Sequence, residues 1–166
     1  YILVYTPLKQ RTVANTWFGA ITGALPPVMG WTAARGQLDW EVLPIFALLY
    51  FWQLPHFFAI AWMYREDYHR GGFRMLSLFD ETGRKTGVQM LLNAAILFIA
   101  SLAIYMIGQG SMFYLLSAIF LGLGFLAAIT LFFRESSVEN ARKVFLASII
   151  YLTVLSTVLI LERLFY

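Results

Sequence analysis

Cysteine is absent from the 166 residues, which excludes disulfides, thiolate metal sites and cysteine nucleophiles. Charge is scarce: Asp, Glu, Lys and Arg make up 13%, against about 25% in soluble domains. No soluble domain, low-complexity tract or internal repeat interrupts the chain, and neither a starting Met nor a signal peptide opens it. The opening YILVYTPLK reads as the tail of a helix already under way. The expectation is that residues precede Tyr1 and that 1–166 is a single transmembrane domain, the C-terminal portion of a larger protein.

Apolar residues reach 60%, aromatics 17% and the mean hydropathy +0.71. In lipid every backbone amide must be satisfied internally, so such a chain folds as an all-α, polytopic transmembrane helix bundle. The bilayer is its first partner. The net charge of +3 and pI near 9.3 belong to loops on one side of the membrane, not to a nucleic-acid surface.

Five stretches have the ~20 residues a crossing needs. They are Val13 to Ala33, Val42 to Tyr64, Thr86 to Ile107, Met112 to Phe133 and Val144 to Leu164. Pro26-Pro27 should kink the first and Pro55 should distort the second near Phe51. Gly19 and Gly23 form a GxxxG, read as close helix packing. Thr86 with Gln89, and Ser136 with Glu139, fit capping boxes. Gly108-Gln109-Gly110 is a tight turn. Lys9, Arg11, Arg65, Arg70, Arg74, Arg84, Lys85, Arg134, Arg142 and Lys143 fall on one side, and Arg35 and Arg163 on the other. That asymmetry makes the first side cytoplasmic, or the matrix side in a mitochondrion, and leaves Tyr166 outside.

The chain is organised around Gln53 to Met75. Gln53, His56, Ile60, Tyr64 and Asp67 fall at i, i+3, i+7, i+11 and i+14, one face of a helix. His56 would lie ~16 Å below Asp67. Gly71-Gly72 then ends the helix. Asp67 beside arginines reads either as a solvated surface pair or as a Mg²⁺ ligand, since that hard cation takes carboxylate oxygens and bridges to phosphates. Arg65, Arg70 and Arg74 suit a polyanion. Glu66 points off the stripe, and Asp80 and Glu81 read as loop solvation.

A second stripe, Thr12, Asn15, Gly19, Thr22 and Pro26, leads down from a basic end with Tyr5, Lys9 and Arg11; the two stripes are expected to face each other across one cavity. His56 inside a span reads either as a neutral side chain bonded to a neighbouring helix or as an iron ligand. His69 reads as solvated, and Gln89 and Asn93 as interhelical hydrogen-bonding groups.

These segments resemble the heme O synthase branch of the UbiA-type intramembrane prenyltransferases. YTPLKQRT (Tyr5 to Thr12) is similar to that family's Y-x-x-x-K-x-x-T. Asn15 to Trp31 resembles its N-x-x-x-G-x-x-x-G-A-x-P-P-x-x-G-W, Leu54 to Leu76 its P-H-F…D-Y segment, and Ala141 to Leu152 its last helix. The resemblance implies a nine-helix bundle around a cavity in a bacterial plasma membrane or the mitochondrial inner membrane. It implies farnesyl transfer from farnesyl diphosphate to a vinyl group of heme b, with Mg²⁺ assisting. Carried over, Asp67 is the metal-side carboxylate, Lys9 and Arg11 hold diphosphate, Asn15, Tyr64, Arg65 and Arg70 line the site, and His56 contacts heme. Heme A synthase and cytochrome oxidase assembly factors are implied as partners. The family's first acidic motif is missing from residues 1–40, and Gly71 stands where D-x-x-x-D would place its second Asp. This implies the C-terminal part of such an enzyme, without turnover by itself. The rival readings are a prenyltransferase acting on a quinone or chlorophyll precursor, and a non-catalytic membrane subunit or heme-binding scaffold.

Overall fold

The computed structural model describes residues 12–165, with Arg163 through its backbone alone. Six α-helices follow in order: α1 (Asn15–Arg35), α2 (Leu43–Met63), α3 (Arg65–Arg70), α4 (Arg84–Met106), α5 (Met112–Arg134) and α6 (Val138–Phe165). Short 3₁₀ turns, Trp40–Val42 and Leu76–Phe79, lead into α2 and precede α4. Among the described residues there is no strand.

Four of these helices are long and apolar enough to cross a membrane: α2 with its leading turn, α4, α5 and α6. The expected fifth, α1, has the length, and its helix continues through Pro26 and Pro27. Its threonines and glycines dilute the apolar character, so four crossings rather than five meet the requirement. α2 is the hub, packing against α1, α4 and α6, while α4 packs on α5 and α5 on α6. The result is a ring of four helices with α1 laid against α2.

Small residues let the backbones approach, as expected where lipid supplies no hydrophobic drive between helices. A Cβ on Gly87 would sit 2.8 Å from the Phe133 ring, and one on Gly122 2.3 Å from Phe98. Phe58, Phe125, Phe132 and Leu155 fill the centre, while Ile99, Met106 and Phe120 point outward, the apolar surface a lipid-facing bundle needs. The GxxxG reading holds at Gly23, where a Cβ would fall 2.0 Å from Gln53 Oε1.

Side-chain bonds define two ends. Asn15 Nδ2 donates to the Arg74 carbonyl (2.8 Å) and Trp62 Nε1 to the Ser136 carbonyl (3.1 Å). These bonds gather the start of α1, the end of α2, the 65–85 segment and the α5–α6 turn. At the other end Arg35 pairs with Glu41 (3.4 Å) and Gln109 Nε2 donates to the Glu41 carbonyl (3.1 Å). Among the described side chains, the cations of 65–85 and 134–143 therefore gather at one end and Arg35 stands at the other; Lys9 and Arg11 lie outside the described residues.

Several local expectations change. Asp80 is buried, not solvated: Oδ2 accepts from the Thr86 amide at 2.7 Å, satisfying an orphan donor in the first turn of α4. This replaces the Thr86–Gln89 capping box. Asn93 Nδ2 donates to the Gln89 carbonyl (2.7 Å) within its own helix, not across to another. α6 begins six residues before Val144, because Ser137 Oγ accepts from the Asn140 amide (3.2 Å) and Glu139 pairs with Lys143 at 2.8 Å. Gly72, at φ 70°, ends α3: the Phe73 amide reaches the Tyr68 carbonyl and the Gly72 amide that of His69, both at 3.0 Å.

Candidate functional site

The expected face from Gln53 to Asp67 does not run on one continuous helix. α2 stops at Met63 because Tyr64 leaves helical geometry (φ −111°, ψ 28°), and α3 restarts at Arg65. Asp67 is thereby taken out of register with His56. The lower part divides as well. Gln53 turns toward α1, its Nε2 donating to the carbonyls of Ala20 (3.3 Å) and Leu49 (3.0 Å). His56 turns toward α6. Gln53 meets α1 at Gly23, beside and not within the Thr12–Asn15–Gly19–Thr22–Pro26 stripe, and a Cβ there would fall 2.0 Å from its Oε1, so this contact is packed and is not the expected shared cavity.

His56 is the most closely defined polar group in the membrane-spanning part. Its ring lies between Trp52 and Phe145, with both centroids at 4.9 Å and interplanar angles of 23° and 28°. Nδ1 is 2.8 Å from Ser148 Oγ. The single hydroxyl proton of Ser148 is committed to the Phe145 carbonyl at 2.6 Å. The tautomer that satisfies both bonds carries its hydrogen on Nδ1 and its lone pair on Nε2. In that tautomer the neighbouring-helix bond and a ligand role are compatible, because one nitrogen bonds Ser148 and the other keeps its lone pair. Ser148 was missed by sequence reasoning; a serine one turn past Val144 in an apolar span was its signal.

At the charged end Asp67 and Arg70 form an ion pair within α3, both side chains largely exposed. Such a pair contributes about 0–1 kcal/mol, so a phosphate or cation can displace it at little cost. Arg65 lies over the Trp62 ring at 4.9 Å, and Tyr64 is exposed. Arg65, Glu66, His69 and Arg70 flank a cleft of about 370 Å³. Partial burial pushes the Tyr68 phenol above its ordinary range, and its ring packs against Phe73. Asn15 is buried and fully engaged. Its amide bonds the carbonyls of Thr12 and Arg74, both at 2.8 Å, and its Oδ1 accepts from Thr16. It fastens the segment behind α3. Tyr5, Lys9 and Arg11 lie outside the described residues.

Among the described residues no three His, Asp or Glu side chains converge on a metal position. Asp67 offers one exposed carboxylate, which suits Mg²⁺ held mostly by water and phosphate oxygens. A larger cleft lies at the opposite end. A cleft of about 790 Å³, rimmed by Arg35 and Glu41, shares Ile45, Leu159 and Ile160 with an apolar pocket of about 270 Å³ that reaches Tyr114. None of the described site candidates, Asn15, His56, Tyr64, Arg65, Asp67 and Arg70, lines either one.

Comparison with known proteins agrees with this anatomy. "Protoheme IX farnesyltransferase" of Anaeromyxobacter dehalogenans is 46% identical over 98% of this chain and 55% of its own length. That of Koribacter versatilis is 41% identical over 98% and 55%. "Protoheme IX farnesyltransferase, mitochondrial" of Arabidopsis thaliana is 42% identical over 98% and 38%. The chain thus spans about half the length of the curated relatives it matches. No solved structure matches. Residues 1–150 match the UbiA prenyltransferase family as a continuous run, from the basic start through the Asp67 segment into the last helix, and with four membrane-crossing helices around α2 the chain belongs to that family.

Proposed function

We propose that this chain takes part in transferring a farnesyl group from farnesyl diphosphate to a vinyl group of heme b, giving heme O and diphosphate. The observation that carries the reading is the His56–Ser148 bond: a histidine in a membrane-crossing helix, anchored through Nδ1, on a chain about 40% identical over nearly its whole length to proteins named protoheme IX farnesyltransferase.

Residues of this chain have distinct tasks in that reading. Arg65 and Arg70, with Lys9 and Arg11, hold the diphosphate at the charged end, on the cytoplasmic or matrix side of a bacterial plasma membrane or the mitochondrial inner membrane. Asp67, released from Arg70, would hold Mg²⁺, and Arg70 would then be free to bond a phosphate oxygen. Bound Mg²⁺ neutralises charge building on the departing diphosphate. Tyr64, at the break between α2 and α3, lies ~12 Å above His56 along the axis and separates the phosphate level from the heme level. His56 holds the acceptor through Nε2. The allylic C–O bond of farnesyl diphosphate breaks, the vinyl carbon bonds to the allylic carbon, and water adds to the resulting cation with loss of a proton.

Binding of a non-hydrolysable farnesyl diphosphate analogue, with and without Mg²⁺, tests the assignment. Asp67→Asn should weaken Mg²⁺-dependent binding by about tenfold or more, ~1.4 kcal/mol, and leave Mg²⁺-free binding unchanged. Equal Mg²⁺ dependence in both proteins removes Asp67 from the metal. In a heme titration the chain should produce a Soret shift that His56→Ala loses. A shift unchanged in that variant favours a non-heme acceptor such as a quinone precursor.

A further inference from the structure

A second basic surface lies at the charged end, in clefts that Asp67 does not line. Between the start of α1 and the start of α4 runs a cleft of about 490 Å³, joined through Leu76 and Lys85 to another of about 330 Å³. Arg84 and Lys85 border the first lobe, and Arg74 and Lys85 the second. No carboxylate lines either lobe, whereas Glu66 lines the cleft beside Asp67. Among the described residues no acidic side chain pairs with Arg74, Arg84 or Lys85. The nearby carboxylate of Asp80 is buried and bonded to the Thr86 amide, and Glu81 lines neither lobe.

Three cations gathered without counter-charge call for an anion, and the walls say which kind. Trp17, Leu76 and Val88 form an apolar floor under the charges. From Val88 an outward-facing apolar strip continues down α4 through Leu92, Ile96 and Ile99, all exposed, at the spacing of one helix face. A free phosphate needs no such strip. A phospholipid does: head group among the cations at the membrane surface, acyl chain along α4. Arg74 is held for this role, since Asn15 bonds its carbonyl and its guanidinium lies 5.2 Å from the Phe79 ring.

We propose that the α1–α4 cleft is a binding site for an anionic phospholipid of the leaflet facing the charged end. Basic pockets between helices at that surface are suited to such head groups. The bound lipid would close the exposed flank between α1 and α4, which do not pack closely on each other.

Native mass spectrometry of the protein released from vesicles of phosphatidylcholine with a minor fraction of phosphatidylglycerol tests the site. The wild type should retain phosphatidylglycerol in preference to phosphatidylcholine. The triple variant R74Q/R84Q/K85Q should lose that retention by about tenfold or more. R134Q/R142Q/K143Q, which removes as many charges from the end of α5 and the start of α6 at the same end, should keep it. Added inorganic pyrophosphate should not displace the lipid. Equal loss in both triple variants, equal retention of the two lipids, or displacement by pyrophosphate overturns the proposal; the last would make the cleft a diphosphate site. If the first triple variant does not fold, K85Q alone, which touches both lobes, should lower retention severalfold, and wild-type retention in K85Q counts against the site.

Discussion

Removing the Ser148 hydroxyl tests the orientation of His56 directly. In Ser148→Ala the backbone carbonyl that accepts from Trp52 Nε1 at 2.7 Å is kept, and the ring stays between Trp52 and Phe145. What disappears is the acceptor 2.8 Å from Nδ1. The imidazole then has two poor choices. It can keep the proton on Nδ1 as an unsatisfied donor, at a cost of about 1–3 kcal/mol. Alternatively it can move the proton to Nε2 and lose the lone pair that a ligand would use. The first state loosens the ring and the second cannot bind, so heme affinity should fall by about tenfold, the equivalent of ~1.4 kcal/mol. The assay is a heme titration followed at the Soret band, with His56→Ala as the limiting case and thermal midpoints as a check on folding. Wild-type affinity in Ser148→Ala, alongside clear loss in His56→Ala, would refute the tautomer argument while leaving the heme contact standing.

Two further outcomes follow from packing. Asp80→Ala should destabilise the protein by about 1–2 kcal/mol, the usual loss for a side chain that satisfies a helix-start amide, whereas Glu81→Ala should stay within about 0.5 kcal/mol; denaturant unfolding in detergent compares them. Gly23→Ala forces Gln53 off its two carbonyl partners, and Gln53→Ala clears the space that the new Cβ would occupy. The double variant should therefore be about 1 kcal/mol or more better than the sum of the singles, and strict additivity would show that the two side chains do not share that space.

Much of the fold was legible in the sequence. The apolar runs beginning near Val42, Thr86 and Met112 became α2, α4 and α5 with ends shifted by at most two residues. The start of α6 was missed because Glu139 and Lys143 read as loop charges, yet on a helix they are neighbours. Asp80 was misread for a related reason: a carboxylate among polar loop residues looks solvated until α4 folds over it. The single face through Gln53, His56 and Asp67 failed at Tyr64, where one residue outside helical geometry resets the register of everything beyond it.

Composition and spacing by themselves determined that this chain lives in a membrane, how most of its crossings are bounded, and which end collects the positive charge. These properties add up residue by residue, so no partner is needed to read them. Only the tertiary structure decided that Gln53 belongs to α1 and His56 to α6, that Ser148 is the partner of the imidazole, and that Arg74, Arg84 and Lys85 border two joined clefts. Each of those outcomes depends on which neighbour a helix face meets, and helical periodicity leaves that choice open.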